Sequence, residues 1–406
     1  MTTRSDEFYR WIEDHAADDP LKLRLKYASA GDGFDYDAAI TQIECRKQFG
    51  KKLADTLSRA PHFYFPNRLS GEQSTSDRLA DYHKTLVMKD EPLIDLTSGL
   101  GIDVFHCSAG CSRTVAVERS SEVAEALRTN AAELGCKNIK IVCDDCRDVI
   151  YHTDEEMFGT AFIDPARRDK NGGRVFRLSD CEPDVTLMLP KLSEICRRLI
   201  VKMSPMLDIS HTINALGGCS EIIALGTSTE CKELIAVKDF CDSNQASNTL
   251  IKGMTLLSDR CVEFTFTKEE EAGAPAPAYT LPEKGNYLYE PFPSMMKLGA
   301  NRLMAFRYGL DAFHPNCRLY HSSAEEDNFP GEMFEIKEML DYSSRNIKRF
   351  KKDYPQINVA TRNFGMSAET LRSKLGVREG GRKRVFGIIG YNDRRFLIVA
   401  EPVKGS

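Results

Sequence analysis

The chain has 406 residues, 42% of them hydrophobic and 28% charged, with a formal net charge of -5. This is the composition of ordinary globular domains; it excludes collagen, wholesale disorder and a small cystine scaffold, and at about 100–200 residues per domain it implies two or three domains. No run approaches the ~18 consecutive apolar residues of a membrane span, and the opening MTTRSDEFYRWIEDH lacks the apolar core of a signal peptide, so no membrane partner and a cytoplasmic location are expected.

Residues 1–90 read as helical. Between Ile40 and Leu57 the apolar residues Ile40, Ile43, Phe49, Leu53 and Leu57 recur near a 3.6-residue period. Pro61 and Pro66 bracket HFYF and break the helices, and the polar run Ser70 to Asp77 offers N-caps for another helix through Leu86.

From Glu91 short apolar runs alternate with helices, the signature of βαβ units and a parallel sheet, and hence of an α/β fold. Strands are expected at Pro92 to Thr97, Arg113 to Glu118, Asn138 to Cys143, Thr160 to Asp164, Leu199 to Met203 and Glu221 to Gly226, with a helix from Ser120 to Leu134. Leu234 to Val237 and Val262 to Phe266 read as hairpin strands closing one edge of the sheet.

The charged, then Ala/Pro-rich stretch EEEAGAPAPAYTLP marks a linker over 269–285 between a domain at 91–268 and a smaller C-terminal α+β domain. Glu290-Pro-Phe-Pro293 precedes a helix-like stretch to Phe306, and Asn358 to Val399 reads as strand, helix, strand, turn, strand. Charge divides unevenly. Residues 331–406 hold 16 Lys and Arg against 9 Asp and Glu, a net of +7, leaving 39 against 51, or -12, in residues 1–330. Lys and Arg are what neutralise phosphates, so the basic tail is a candidate nucleic-acid surface.

The chemistry-bearing residues gather at expected strand ends. The first strand runs into Asp95-Leu-Thr-Ser-Gly99-Leu-Gly101-Ile-Asp103, whose glycines let a backbone approach a ligand at the carboxyl edge of a parallel sheet. A dinucleotide fingerprint needs a third glycine three residues beyond Gly101, where Val104 stands. Glu118, ending the second strand, has the position from which a carboxylate accepts both hydroxyls of a ribose. Asp144 or Asp145, ending the third, suits an adenine amino group, and Asp164-Pro165-Ala-Arg167 ends the fourth. Thirteen cysteines without framework spacing suit a reducing compartment; the Cys143/Cys146 pair lacks the second pair of a zinc set, and no metal is expected.

With these motifs, residues 91–240 resemble a class I S-adenosylmethionine-dependent methyltransferase with its Rossmann-like sheet, and the whole chain resembles the bacterial methyltransferases that end in a THUMP-like domain. Glu72-Gln-Ser-Thr-Ser76 matches that group's upstream cofactor motif. Tyr287 to Tyr320 resembles its ferredoxin-like module, expected over 286–330. Thr361-Arg-Asn-Phe364, Leu371-Arg-Ser-Lys-Leu375 and Gly380-Gly381 match its THUMP-like end, expected over 331–406.

The resemblance implies an enzyme that binds S-adenosylmethionine through Gln73, Ser74, Thr75, Ser76, Asp95, Thr97, Gly99, Gly101, Asp103, Glu118, Arg119 and Asp144 or Asp145, and methylates RNA, at a base of tRNA or rRNA. Asp164, with Pro165, then faces the transferable methyl and contacts the acceptor. Arg167 and Arg168 either hold a phosphate or cap the loop. Ala166 and Arg167 replace the Pro-aromatic pair of exocyclic-amine methylases, which argues against amine methylation. Lys202-Met-Ser-Pro205 stands where uracil-5 enzymes carry a cysteine nucleophile, which argues against a covalent thiol route. The charge count and clustering of the tail make Lys348 and Lys351, grouped with Arg345, Arg349 and Lys352, and the turn Arg382, Lys383 and Arg384 the expected RNA contacts. The alternatives are an RNA-binding protein that keeps a cofactor site without catalysis, and a methyltransferase of a protein or small molecule.

Overall fold

The structure is a computed structural model that describes residues 5–153, 157–167, 177–241, 249–391 and 393–403. It divides into two compact units: Met1–Ser220 with Ile235–Ser247, and Glu221–Leu234 with Asn248–Ser406.

The first unit opens with helices Asp6–Asp14, Pro20–Tyr27, Tyr36–Phe49, Ala54–Arg59, Arg68–Gln73 and Asp77–Lys84. Ser5, Asp19, Asp35, Asn67 and Ser76 each accept a backbone N–H at a helix start, which fixes where these short segments begin. The expected helix from Ile40 to Leu57 is two helices, because the first is capped at Gly50 and the chain turns before Ala54. Phe63 and Phe65 of the HFYF run are fully buried and pack with Phe105 and Leu127, so this segment anchors the helical region to the sheet layer. Asn130 fastens it by accepting from the Tyr64 N–H at 2.7 Å and donating to the Tyr64 carbonyl at 2.9 Å.

Strands β1 (Leu93–Asp95), β2 (Thr114–Val117), β3 (Ile139–Val142) and β4 (Phe158–Ile163) follow, then the two-residue pair β5 (Ala166–Arg167) and β6 (Cys181–Glu182), then β7 (Cys196–Met203). Pairs β1/β2, β2/β3, β1/β4 and β4/β7 are all parallel. With β8 (Glu221–Gly226), β9 (Cys231–Asp239), β10 (Leu250–Leu256) and β11 (Cys261–Phe266) the order is β11-β10-β8-β9-β7-β4-β1-β2-β3, and the unit boundary runs through β9. This is the Rossmann-like sheet read from the sequence, with one correction. Leu234 to Val237, expected at an edge, lies between β8 and β7; all four residues are buried, as a strand covered on both faces requires. The edge hairpin is instead β10 with β11, antiparallel.

In the second unit, helix Pro293–Leu298 packs on β10, where a side chain at Gly253 would run into Met295 and Leu298. The stretch expected as a linker carries a helix, Lys268–Gly273, because Thr267 and Glu270 close a capping box there. Glu271 of that helix accepts the N–H groups of Arg302 and Leu303 and caps helix Asn301–Arg307. Beyond it lie β12 (Tyr287–Pro291), β13 (Asp311–Ala312), β14 (Tyr320–Ser322), β15 (Gly331–Asp341), β16 (Asn358–Arg362), β17 (Arg384–Ile389) and β18 (Arg395–Pro402). They form one seven-stranded sheet, β13-β14-β12-β15-β18-β17-β16, antiparallel except for β16/β17. Helices Ser344–Asp353 and Ala368–Leu375 cover a core of Phe350, Phe364, Leu371, Leu375, Val385 and Leu397. Among the described residues no helix is long and apolar enough to cross a membrane.

Candidate active site

The loop after β1 is pinned on both sides before helix Ile102–Ser108 begins: the Leu96 N–H donates to the Phe162 carbonyl and the Ser98 N–H to the Val117 carbonyl, both at 2.9 Å. Its two glycines serve different ends. Gly101 has φ +92°, and a Cβ there would sit 2.8 Å from the Phe105 ring and collide with Leu127, so it is a helix-packing glycine. Gly99 has φ +53°, and a Cβ would meet nothing within 4 Å. Its open side is where a ligand can lie against backbone. The Gly99 N–H donates to Glu118 Oε2 at 3.0 Å while Glu118 Oε1 accepts from the Ser120 N–H at 2.7 Å, which fixes the carboxylate beside the glycine loop.

The end of β4 is tied to the same loop, since the Asp164 N–H donates to Thr97 Oγ1 at 2.7 Å. Pro165 is buried behind it, whereas the Asp164 side chain is 39% exposed. One carboxylate oxygen of Asp164 lies 2.7 Å from Lys202 Nζ, near the end of β7. Lys202 is 8% exposed, and its ammonium also donates to Thr75 Oγ1 at 2.7 Å and Asp103 Oδ2 at 3.2 Å. Asp103 in turn accepts from Thr75 Oγ1 at 2.5 Å and lies 2.7 Å from His83 Nδ1.

Burial shapes the charges. It would raise the Asp103 carboxyl, but Lys202, His83 and Thr75 outweigh it and hold Asp103 far below the usual carboxylate range. Asp95, 2% exposed, is pushed up to about 7 by burial, against the Thr97 N–H it accepts at 2.9 Å and with the charges of Asp103 and Asp164 adding to the rise.

The structure therefore brings together Thr75, Asp95, Thr97, Gly99, Asp103, Glu118 and Asp164 at the carboxyl ends of β1, β2 and β4. The other expected residues have separate employment. Ser76 caps helix Asp77–Lys84, Ser74 donates to the Gly71 carbonyl, and Gln73 is exposed. Asp145 caps helix Cys146–Tyr151, and its hydrogen bonds from Arg147 hold it down at about 2. Asp144, spending one oxygen on the Asp145 N–H, and Arg119 are exposed. Arg168 lies outside the described residues, as does the side chain of Arg167. Lys202 and His83 were not anticipated. The signal for Lys202 was a lysine inside the apolar run LIVKM at a strand end.

In the C-terminal domain, Lys348 and Lys351 are exposed on helix Ser344–Asp353, Arg382 is exposed in the turn before β17 with Glu401 3.8 Å away, and Lys383 lies 5.5 Å over the Tyr354 ring. Arg384 differs from them. Its guanidinium bonds Glu290 and Glu332, each at 2.8 Å, and sits over the Phe334 ring at 4.9 Å, so in this structure it is engaged in internal ion pairs.

Residues 287–330 match a ferredoxin-like domain family and residues 331–402 a THUMP domain-like family. Over the whole molecule the chain is similar to the crystal structure of a candidate methyltransferase from Porphyromonas gingivalis, at 29% identity and a TM-score of 0.87, covering 98% of each chain. It also aligns with an RNA methyltransferase from Salinibacter ruber in complex with S-adenosyl-L-homocysteine, at 16% identity and a TM-score of 0.29, over 41% of this chain and 93% of that one. A comparison with curated proteins finds no match. The fold class is that of the Rossmann-like methyltransferases. The chain has their sheet joined to a C-terminal ferredoxin-like and THUMP-like pair, the architecture that its sequence resembles.

Proposed function

We propose that the chain is an S-adenosylmethionine-dependent methyltransferase acting on RNA, at a base of tRNA or rRNA. The observation that carries this reading is the convergence of Glu118 and Asp164 on the Gly99 loop, Glu118 accepting the Gly99 N–H and the Asp164 N–H donating to Thr97 Oγ1. The whole-chain likeness to a candidate methyltransferase supports it.

The residues fit the donor. An exposed backbone face at Gly99 beside a fixed carboxylate suits a ribose, and Asp144 is the better candidate for adenine because Asp145 is committed to Arg147. Bound there, the donor supplies a sulfonium methyl group already activated for in-line displacement. The chain's contribution is then to position and to exclude. Asp164 accepts a hydrogen bond from the acceptor's N–H or O–H and turns its lone pair toward the reaction line, and buried Pro165 keeps the strand end rigid.

RNA as the acceptor rests on the THUMP-like match and on the +7 charge of residues 331–406. Lys348, Lys351, Arg382 and Lys383 are the proposed phosphate contacts. The test is to incubate the full chain with methyl-labelled donor and a total extract of cells lacking the gene. Label should enter RNA; label in protein, in DNA or in nothing contradicts the reading.

A further inference from the structure

An ammonium can donate three hydrogen bonds, and among the described residues Lys202 has Thr75 Oγ1 at 2.7 Å, Asp164 Oδ2 at 2.7 Å and Asp103 Oδ2 at 3.2 Å around it. These acceptors come from distant parts of the chain. Thr75 stands between two helices of the N-terminal region, Asp103 in the helix after β1, Asp164 past β4, and Lys202 itself in β7. Asp103 is further braced by His83, which is fully buried. A lysine side chain is costly to immobilise and its burial requires full pairing. Asp164, by contrast, has a 39% exposed side chain on a loop, and a carboxylate so placed rotates unless a neighbour fixes it.

We propose that Lys202 is a positioning residue that locks the orientation of the Asp164 carboxylate, with Thr75 and Asp103 acting as the fixed legs that aim Lys202. The inference rests on the reading of Asp164 as the acceptor contact. It assigns the N-terminal helical region a part in the reaction, since Thr75 and His83 set the position of a group at the acceptor end of the site. Burial alone would neutralise Asp103, and Lys202 and His83 keep it charged by outweighing the desolvation of its carboxylate. A misplacement of about 1 Å at a reacting centre costs about 10²-fold in rate, which is the scale expected for losing this lock.

The test compares the full chain with Lys202→Met, Lys202→Arg and Thr75→Val. The carbon-13 signal of the Asp164 carboxyl, identified through Asp164→Asn in aspartate-labelled protein, reports its surroundings without any acceptor. It should move in Lys202→Met and return toward its original position in Lys202→Arg. Methyl transfer to RNA should fall at least tenfold in Lys202→Met, with the donor KM within a few-fold and partial rescue by arginine. Thr75→Val removes one leg and no charge; it should move the same signal by less, and it stands in if Lys202→Met does not fold. An Asp164 signal unchanged in the folded variants overturns the proposal. A wild-type chain that neither binds the donor nor methylates RNA refutes the methyltransferase reading instead, and the carboxyl signal still decides the positioning.

Discussion

The ionic cluster at the carboxyl ends of the first unit's strands and the one inside the C-terminal sheet are built on opposite charge balances. In the first, among the described residues, Asp103 and Asp164 pair with the Lys202 ammonium while Asp95 feels the charge of all three, and one of the three carboxylates opens to solvent. In the second, Glu290 and Glu332 face Arg362 and Arg384, two charges against two, with Glu290 only 5% exposed. A cluster balanced in charge neutralises its buried member, here Glu290, and ties the strands that carry it together. A cluster crowded with like charge at the mouth of a sheet holds Asp95 and Asp103 in oppositely perturbed states, the usual condition of a working site.

This difference can be broken most sharply at Asp164. Asp164→Ala should lower methyl transfer by about two orders of magnitude while donor affinity, read by calorimetry, stays within a few-fold. Retained turnover would reduce Asp164 to a structural turn residue. The balanced cluster should respond the other way. Glu290→Gln leaves Arg362 and Arg384 short of charge and should cost about 2–3 kcal/mol in urea unfolding, less than a fully buried pair because both arginines are partly exposed, with donor affinity unaltered.

Asp95 gives a pH-dependent form of the same contrast. Burial lifts its carboxyl from 3.8 to about 7, so between those values the folded chain keeps a proton that the unfolded chain releases. Its contribution therefore lowers stability progressively as pH rises through that window and by a constant amount above it. Asp95→Asn, which keeps an acceptor for the Thr97 N–H, should unfold about 1–3 kcal/mol later than wild type at pH 8 and equally at pH 4. The same difference at both pH values would contradict the assignment. The smallest effect belongs to the tail. Lys348, Lys351, Arg382 and Lys383 changed to Gln should flatten the salt dependence of RNA binding by about 0.7 in log-log slope for each lost single-strand phosphate contact, with circular dichroism unchanged.

Much of this was legible in the sequence because it is local. Strand ends carrying Asp95, Glu118 and Asp164 follow from apolar runs stopped by polar turns, and β17, β18 and helix Ala368–Leu375 follow from short apolar runs and a Ser367 cap. Strand β10 was hidden by Gly253, which weakens the strand pattern yet is required where Met295 and Leu298 press on the backbone. The Lys202 network was hidden by distance, since its Thr75 partner lies 127 residues away. Arg384 was grouped with its basic neighbours, although the period of two set it on the face of buried Phe386, where its guanidinium lies 5.7 Å from the ring.

The central claim is that the Gly99 edge with Glu118 holds S-adenosylmethionine, and calorimetric titration of the donor into the full chain and into Glu118→Ala tests it most directly. Saturable one-to-one binding to the wild type, weakened in the variant by about 1–3 kcal/mol through loss of charged hydrogen bonds, is the predicted result. No binding to the folded wild type, or equal affinity in the two proteins, would contradict it.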